Sequence, residues 1–261
     1  MEVCLERPLF LLTNDDGVDA PGLLAMKAMA ETLGRVLVVA PHKERSGAGC
    51  AITLRRGLRF DQLAENVYAV DGTPADCVQM AMRMPFVTET PDWVLSGINR
   101  GPNLGDDTLF SGTVGAAGVG CLFGLRSMAV SMGDFHEPQN YDSAAAVVAR
   151  LLSIPRLRQI AGERVININV PNLPFDQLQG LSVTTLCRRQ YPRHFEPDPD
   201  DPRLNWYSKG FVGHDELEHS DGTAIDRHQV SVSILRPSLF DDEANARLAG
   251  LLPRHLPDLL T

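Results

Sequence analysis

The chain has 261 residues, 44% of them hydrophobic, enough to bury a large core as one domain or as a domain with an appendage. A net charge of −9 speaks against a general binder of nucleic-acid polymers, which needs a basic face to neutralise phosphates. No apolar run approaches the ~20 residues of a membrane span and no basic, cleavable leader opens the chain. Five widely spaced cysteines include no C-x-x-C pair, so the expectation is a cytoplasmic protein with reduced thiols and no membrane partner.

Phe10, Leu11 and Leu12 end an apolar run that stops on Asn14-Asp15-Asp16-Gly17, with Pro21 just beyond. That order reads as buried strand, loop and first turn of a helix. Leu23, Leu24, Ala28, Met29 and Leu33 continue at helical spacing to Gly34, and residues 36–40 (VLVVA) form a second strand. The polar loop after Pro41 carries Ser46 and Gly47. Residues 51–54 and 67–70 read as short β pieces on an excursion from the main sheet, and Thr73-Pro74 opens a helix through Cys77, Met80 and Met84.

Residues 93–95 are a third strand, running into SGINRGPNLGDD, a loop too long and polar to be a mere connector. Ser111-Gly112-Thr113 starts a small-residue helix. Residues 128–131 give a strand, 144–152 a helix and 165–170 another strand, so the alternation predicts a doubly wound α/β fold. Beyond Pro171 the character changes. Residues 181–186 and 230–235 alternate like strands around a Pro-, Asp- and Arg-rich stretch, and Leu248, Leu251 and Leu252 suggest a closing helix. The expected organisation is a Rossmann-like three-layer core over 1–175 with a β-rich extension and C-terminal helix over 176–261.

In an open α/β sheet, ligands sit beyond the carboxyl ends of the strands. The loops carrying Asp15-Asp16, Ser46 and Asn99 should converge there. Carboxylates, a hydroxyl and an amide carbonyl are hard oxygen ligands that suit Mg²⁺ or Mn²⁺, and a divalent cation would let two carboxylates face a phosphate dianion. Such an ion would polarise a phosphoryl group and supply hydroxide, with Asp15 or Asp16 orienting the water. Asn14, Asn99, Asn103, Ser111, Thr113 and the amides around Gly112 are candidate phosphate donors, since a helix start offers free N–H groups. Three other readings stay open: an aspartyl-phosphate route through Asp15, a dinucleotide oxidoreductase and a non-catalytic nucleotide sensor. No G-x-G-x-x-G follows the first strand, which weakens the dinucleotide reading.

The segments TNDDGVDAPG, VVAPHKERSGAG, DGTPADCV, SGINRGPNLGDDTLFSGTVGAA and NINVP occur in this order. Together they closely resemble the survival protein SurE family of metal-dependent nucleoside monophosphate phosphatases, most densely over residues 8–171. The resemblance implies one divalent metal per subunit on Asp15, Asp16, Ser46 and Asn99, with Asp15, Asp16 and Asn99 catalytic and Asn14, Gly47, Asn103, Ser111, Gly112 and Thr113 around the phosphate. It implies hydrolysis of nucleoside 5′- and 3′-monophosphates, extending to short polyphosphate. A homodimer or homotetramer with exchanged C-terminal segments is implied as well. Two departures stand out: His228-Gln229 where Gly-Tyr is usual, and Cys50 where relatives are commonly polar. His42, Arg45, Arg100, Arg188, Arg189, Trp206 and Tyr207 are secondary candidates whose ordinary roles are solvated loop positions or packing.

Overall fold

The computed structural model describes residues 7–85, 87–160, 164–191, 195–201, 203–206, 213–238 and 241–251. In chain order the elements are β1 (Leu9–Thr13), α1 (Pro21–Leu33), β2 (Arg35–Pro41), β3 (Phe60–Ala64), β4 (Val67–Val70), α2 (Pro74–Ala81), β5 (Trp93–Asn99), α3 (Gly112–Leu122), β6 (Arg126–Met132), α4 (Tyr141–Leu152), α5 (Leu157–Ile160) and β7 (Val165–Val170). They continue with β8 (Leu181–Val183), the two-residue pieces β9 (Arg189–Gln190), β10 (Glu196–Pro197), β11 (Asn205–Trp206) and β12 (Gly213–His214), then α6 (Asp221–Asp226), β13 (Val230–Leu235) and α7 (Asp242–Leu251).

One sheet dominates, with the order β3-β4-β2-β1-β5-β6-β7-β13-β8. From β4 to β7 all neighbours are parallel; β3 and β13 run antiparallel to β4 and β7. The fold is α/β, a mostly parallel sheet with helices on both faces. Alternation along the strands builds both faces, because successive side chains point to opposite sides. Phe10 and Leu12 pack with Met26 and Ala30 of α1 and Val148 and Leu151 of α4, whereas Leu11 packs with Cys77 and Val78 of α2 and Val119 of α3. A strand covered on both faces therefore reads as an unbroken apolar run.

β1 pairs with β2 on one side and β5 on the other. The chain winds outward from β1 in both directions, so the carboxyl ends of β1 and β5 flank the switch point where open α/β sheets hold ligands.

Several expected elements fall differently. Residues 51–54 make no ladder: the Thr53 amide and hydroxyl donate to the Asp76 carboxylate (2.8 and 2.6 Å), which also closes the capping box of α2 with Thr73. The hairpin is instead β3–β4, and it is the edge of the main sheet, not an excursion from it. α2 stops at Ala81, short of Met84. Of residues 181–186 only the first three are strand, after which the chain is drawn toward α6 by the Asp221 carboxylate accepting from the Cys187 amide (2.8 Å). β13 and β8 extend the main sheet beyond β7. α7 occurs where its leucines place it, yet its described side chains are all exposed. Asp, Glu, Asn and Arg interrupt its apolar stripe, and it does not close on this core; Leu252 lies outside the described residues.

Candidate active site

The loop after β1 is held by its neighbours. Asn14 spans its own turn, donating to the Gly17 carbonyl (2.8 Å) and accepting the Gly17 amide (3.3 Å). The Arg45 amide donates to the Asp15 carbonyl (2.6 Å), and the Arg100 amide donates to Asp16 Oδ2 (3.0 Å). Those two bonds bring the loops after β2 and β5 onto the acid pair. Ser46 follows Arg45 directly; it is exposed and donates to Glu44 Oε1 (2.9 Å).

Asn99 sits at the end of β5, where the β5–β6 register shifts between Ser96 and Asn99. Gly97 makes this irregularity possible: its φ is +128°, and a Cβ there would lie 2.2 Å from the Val130 carbonyl oxygen. The Asn99 amide nitrogen donates to the Gly101 carbonyl (2.8 Å), so the side-chain oxygen is the end left for a ligand.

The start of α3, expected as an anion site, receives an anion of the chain itself. Thr113 donates through its hydroxyl to Asp15 Oδ1 (2.5 Å) and through its amide to Oδ2 (3.2 Å). Ser111 caps the helix by accepting the Val114 amide (3.0 Å). A Cβ on Gly112 would stand 2.9 Å from both Cβ and Oδ2 of Asp15, so only glycine admits the carboxylate so close to the helix. Asn103 is also built into the frame: its amide donates to Asn169 Oδ1 (2.8 Å), its side chain donates to Ser131 Oγ (2.7 Å), and its carbonyl accepts from Asn167 and Asn169.

Burial sets the electrostatics. Asp15 is 3% exposed, and burial raises its pKa against the opposing bonds from Thr113. Burial pushes Asp16 up to about 6; the Arg100 amide opposes this, and the charges of Asp15 and Glu44 add to it. Among the described residues neither carboxylate has an ion-pair partner, since the Arg100 guanidinium pairs with Glu137 (3.1 Å). Two adjacent, desolvated acids with no ion-pair partner among the described residues, beside a hydroxyl loop and an amide oxygen, fit a hard divalent cation.

The secondary candidates are engaged elsewhere. His42 pairs with Asp61 (2.8 Å), Arg189 with Asp107 (2.7 Å), and Trp206 donates to Asp198 (2.8 Å). Tyr207 lies outside the described residues. Sequence reasoning placed Thr113 near phosphate and missed its grip on Asp15, a pairing across 98 residues that leaves no local signal. It also missed Asp221, fully buried, whose carboxylate accepts the amides of Gly105, Cys187 and Gly222.

The family described as "Survival protein SurE" matches residues 10–193. The chain belongs to the SurE family. A protein named 5′-nucleotidase SurE from Geotalea uraniireducens is 40% identical over 240 residues, covering 91% of this chain and 96% of the relative. One of the same name from Vibrio vulnificus is 39% identical over 248 residues, covering 94% and 96%. The crystal structure of the SurE protein from Aquifex aeolicus superposes with a TM-score of 0.81 at 34% identity, covering 94% of this chain and 99% of that one. Family membership and the site geometry thus rest on independent observations.

Proposed function

We propose that the chain is a 5′-nucleotidase that hydrolyses nucleoside 5′- and 3′-monophosphates to nucleoside and phosphate in the cytoplasm, accepts short polyphosphate, and uses one Mg²⁺ or Mn²⁺ per subunit. The observation that carries the reading is the adjacent, desolvated pair Asp15 and Asp16 at the switch point of the sheet, without an ion-pair partner among the described residues. The names of the SurE relatives support the substrate class.

Asp15, Asp16, Ser46 Oγ and Asn99 Oδ1 are the atoms that would hold the ion. When bound, the ion supplies positive charge to the phosphoryl oxygens and acidifies water. The chain's own residues do the rest. Thr113 fixes Asp15 in one orientation through two bonds, and the positive end of α3 favours its ionised form. Asp16 receives one bond, from the Arg100 amide to Oδ2; among the described residues Oδ1 accepts none, which suits it to orient the attacking water. The Ser46 and Gly47 amides likewise donate to no acceptor among the described residues and are available to phosphate oxygens. A phosphoaspartate route through Asp15 fares worse, because that carboxylate is buried and both its oxygens accept from Thr113.

The test is phosphate release from nucleoside monophosphates, other phosphomonoesters and short polyphosphate, after chelation and again with Mg²⁺ or Mn²⁺ restored. Turnover that returns only with metal and favours nucleotides is expected. Full turnover in chelator would remove the metal from the reading, and tight nucleotide binding without turnover would put the sensor in its place.

Exchange of C-terminal segments between subunits is part of the proposal. The described side chains of α7 are all exposed, and a cavity of about 1120 Å³ lined by Ile52, Leu109, Leu122, Leu186 and Ile234 lies open beside α3 and β13. A chain ending at Asp241 should form particles of fewer chains than the full chain does, read as particle mass divided by chain mass in light scattering; an unchanged number of chains per particle would refute the exchange.

A further inference from the structure

The acid pair has a neighbour outside the proposed metal and phosphate groups. Tyr141 opens α4, and the segment before it is tied down by Asn172, two residues past β7. The Asn172 side-chain oxygen accepts the Asn140 amide (2.8 Å), and its nitrogen donates to the carbonyls of His136 (2.8 Å) and Pro138 (3.3 Å). The start of the helix, and the ring of Tyr141 with it, is therefore fixed in place.

That ring meets the first turn of α1. A Cβ on Gly22 would lie 3.0 Å from Cε1 of Tyr141 and 1.9 Å from the Ile98 carbonyl oxygen, so glycine leaves room for both. Cε1 is bonded to the carbon that carries the hydroxyl. The hydroxyl end of the ring thus lies where α1 leaves the acid loop and β5 reaches Asn99.

The charges of Asp16, Glu137 and Arg100 act on this hydroxyl. The three groups are joined to one another, since the Arg100 amide donates to Asp16 Oδ2 (3.0 Å) and its guanidinium pairs with Glu137 (3.1 Å). Tyr141 stands on the Asp16 side of the pair. Burial pushes its phenol up to about 12, and the charges of Asp16 and Glu137 add to the rise. The group keeps its proton through the neutral range and is a donor there.

Other hydroxyls of the site are already committed: that of Thr113 donates to Asp15 and that of Ser46 to Glu44. Tyr141 is half-buried, and its hydroxyl has no hydrogen-bond partner among the described residues. A tyrosine hydroxyl taken out of water ordinarily finds one. A phosphate ester at the acid pair brings acceptor oxygens to this place, and a charge-assisted bond to one of them is the contact the hydroxyl lacks.

We infer that Tyr141 is a further catalytic residue, its hydroxyl donating a hydrogen bond to a phosphoryl oxygen of the substrate beside Asp16. The inference rests on the phosphatase reading and deepens it. Because the bond goes to the phosphate, it serves every phosphomonoester alike.

The experiment compares kcat/KM for adenosine 5′-monophosphate and for p-nitrophenyl phosphate in the full chain with Mn²⁺, for the wild type and for Tyr141→Phe, which keeps the ring against Gly22 and removes only the hydroxyl. Both esters should lose about tenfold or more, the scale of a hydrogen bond to a charged group, and by a common factor. The melting temperature and its rise with Mn²⁺ should stay at the wild-type values. Unchanged kcat/KM on both esters would overturn the contact. A loss confined to the nucleotide would put the hydroxyl on the nucleoside, and a lost response to Mn²⁺ would put it on the acid pair; either overturns it as well. If the wild type hydrolyses neither ester, the phosphatase reading has failed, and calorimetry with inorganic phosphate and Mn²⁺ then decides the contact: binding weakened in Tyr141→Phe supports it, whereas equal binding, or none to the wild type, overturns it.

Discussion

Replacing Gly112 by alanine separates the positioning of Asp15 from the stability of the fold. An added Cβ would lie 2.9 Å from Cβ and Oδ2 of Asp15 and 3.1 Å from Cγ of Pro74. Carbon contacts prefer about 3.5–4.0 Å, so the carboxylate must retreat by roughly 0.6 Å. The Thr113 amide bond, already 3.2 Å long, is the first to give. Gly112 is the first residue of α3, where helix propensity contributes little, and overpacking costs about 1–3 kcal/mol, the loss of stability expected in urea unfolding. Activity should respond far more, because a displacement on the order of 1 Å at a catalytic group can cost about 100-fold. The assay is kcat/KM for a nucleoside monophosphate with Mn²⁺, beside the urea titration of the same preparation. A variant within about threefold of wild type, less than 1 kcal/mol of barrier, would show that turnover does not depend on where this helix holds Asp15.

Three further substitutions probe the same frame. In Asp15→Asn, turnover should fall by about 100-fold or more as a ligand and a charge are lost. Because burial opposes the ionised form of Asp15, the melting temperature in chelator should hold or rise, and the wild type's stabilisation by Mn²⁺ should vanish; a retained shift would place the metal elsewhere. Thr113→Val keeps the shape but removes the hydroxyl bond to a buried carboxylate. It should cost about 1.5–3 kcal/mol at neutral pH in urea unfolding, and an unchanged midpoint would mean that the bond is replaced by another. Asp221→Ala strands the amides of Gly105 and Cys187 without their acceptor. It should destabilise by about 3 kcal/mol or more, and a neutral result would refute this account of how the Asn99–Gly105 loop is anchored.

The sheet was legible because strands buried on both faces leave apolar runs that end on turn residues. Residues 165–170 and 230–235 match β7 and β13 at both ends. The acid loop was legible too, since Asp15-Asp16-Gly17 follows such a run directly. Other features depend on contacts between distant residues. Residues 51–54 look like a strand by composition, but Asp76, more than 20 positions away, takes their hydrogen bonds. Residues 221–226 fold as a helix for which the sequence reading gave no expectation, with Ser220 capping it by accepting the Thr223 amide (3.2 Å). The helix start at Ser111 was recognised from its residue types, but its occupant was not: nothing local says that the anion at Thr113 is Asp15 and not the substrate.

The asparagines of β7 show how buried polar groups fix the loop that reaches the acid pair. Asn167 and Asn169 are fully buried in a strand that would otherwise take apolar residues. Their side chains converge on Asn103, whose carbonyl accepts from both and whose amide donates to Asn169. Asp221 holds the same loop two residues later through the Gly105 amide. At its other end the loop gives the Arg100 amide to Asp16 and, at Gly101, carries the ring of Phe135. Asn169 is paired through both its oxygen and its nitrogen, whereas Asn167 is paired through its nitrogen alone and its Oδ1 has no partner among the described residues; a buried group paired in this way specifies one geometry, since a shift leaves donors unsatisfied. The loop is therefore held in one position where its Arg100 amide meets Asp16. Asn169→Ala should loosen it, lowering kcat/KM for a nucleoside monophosphate and destabilising the fold by about 1–3 kcal/mol in urea unfolding; wild-type values of both would mean that the asparagine does not position the loop.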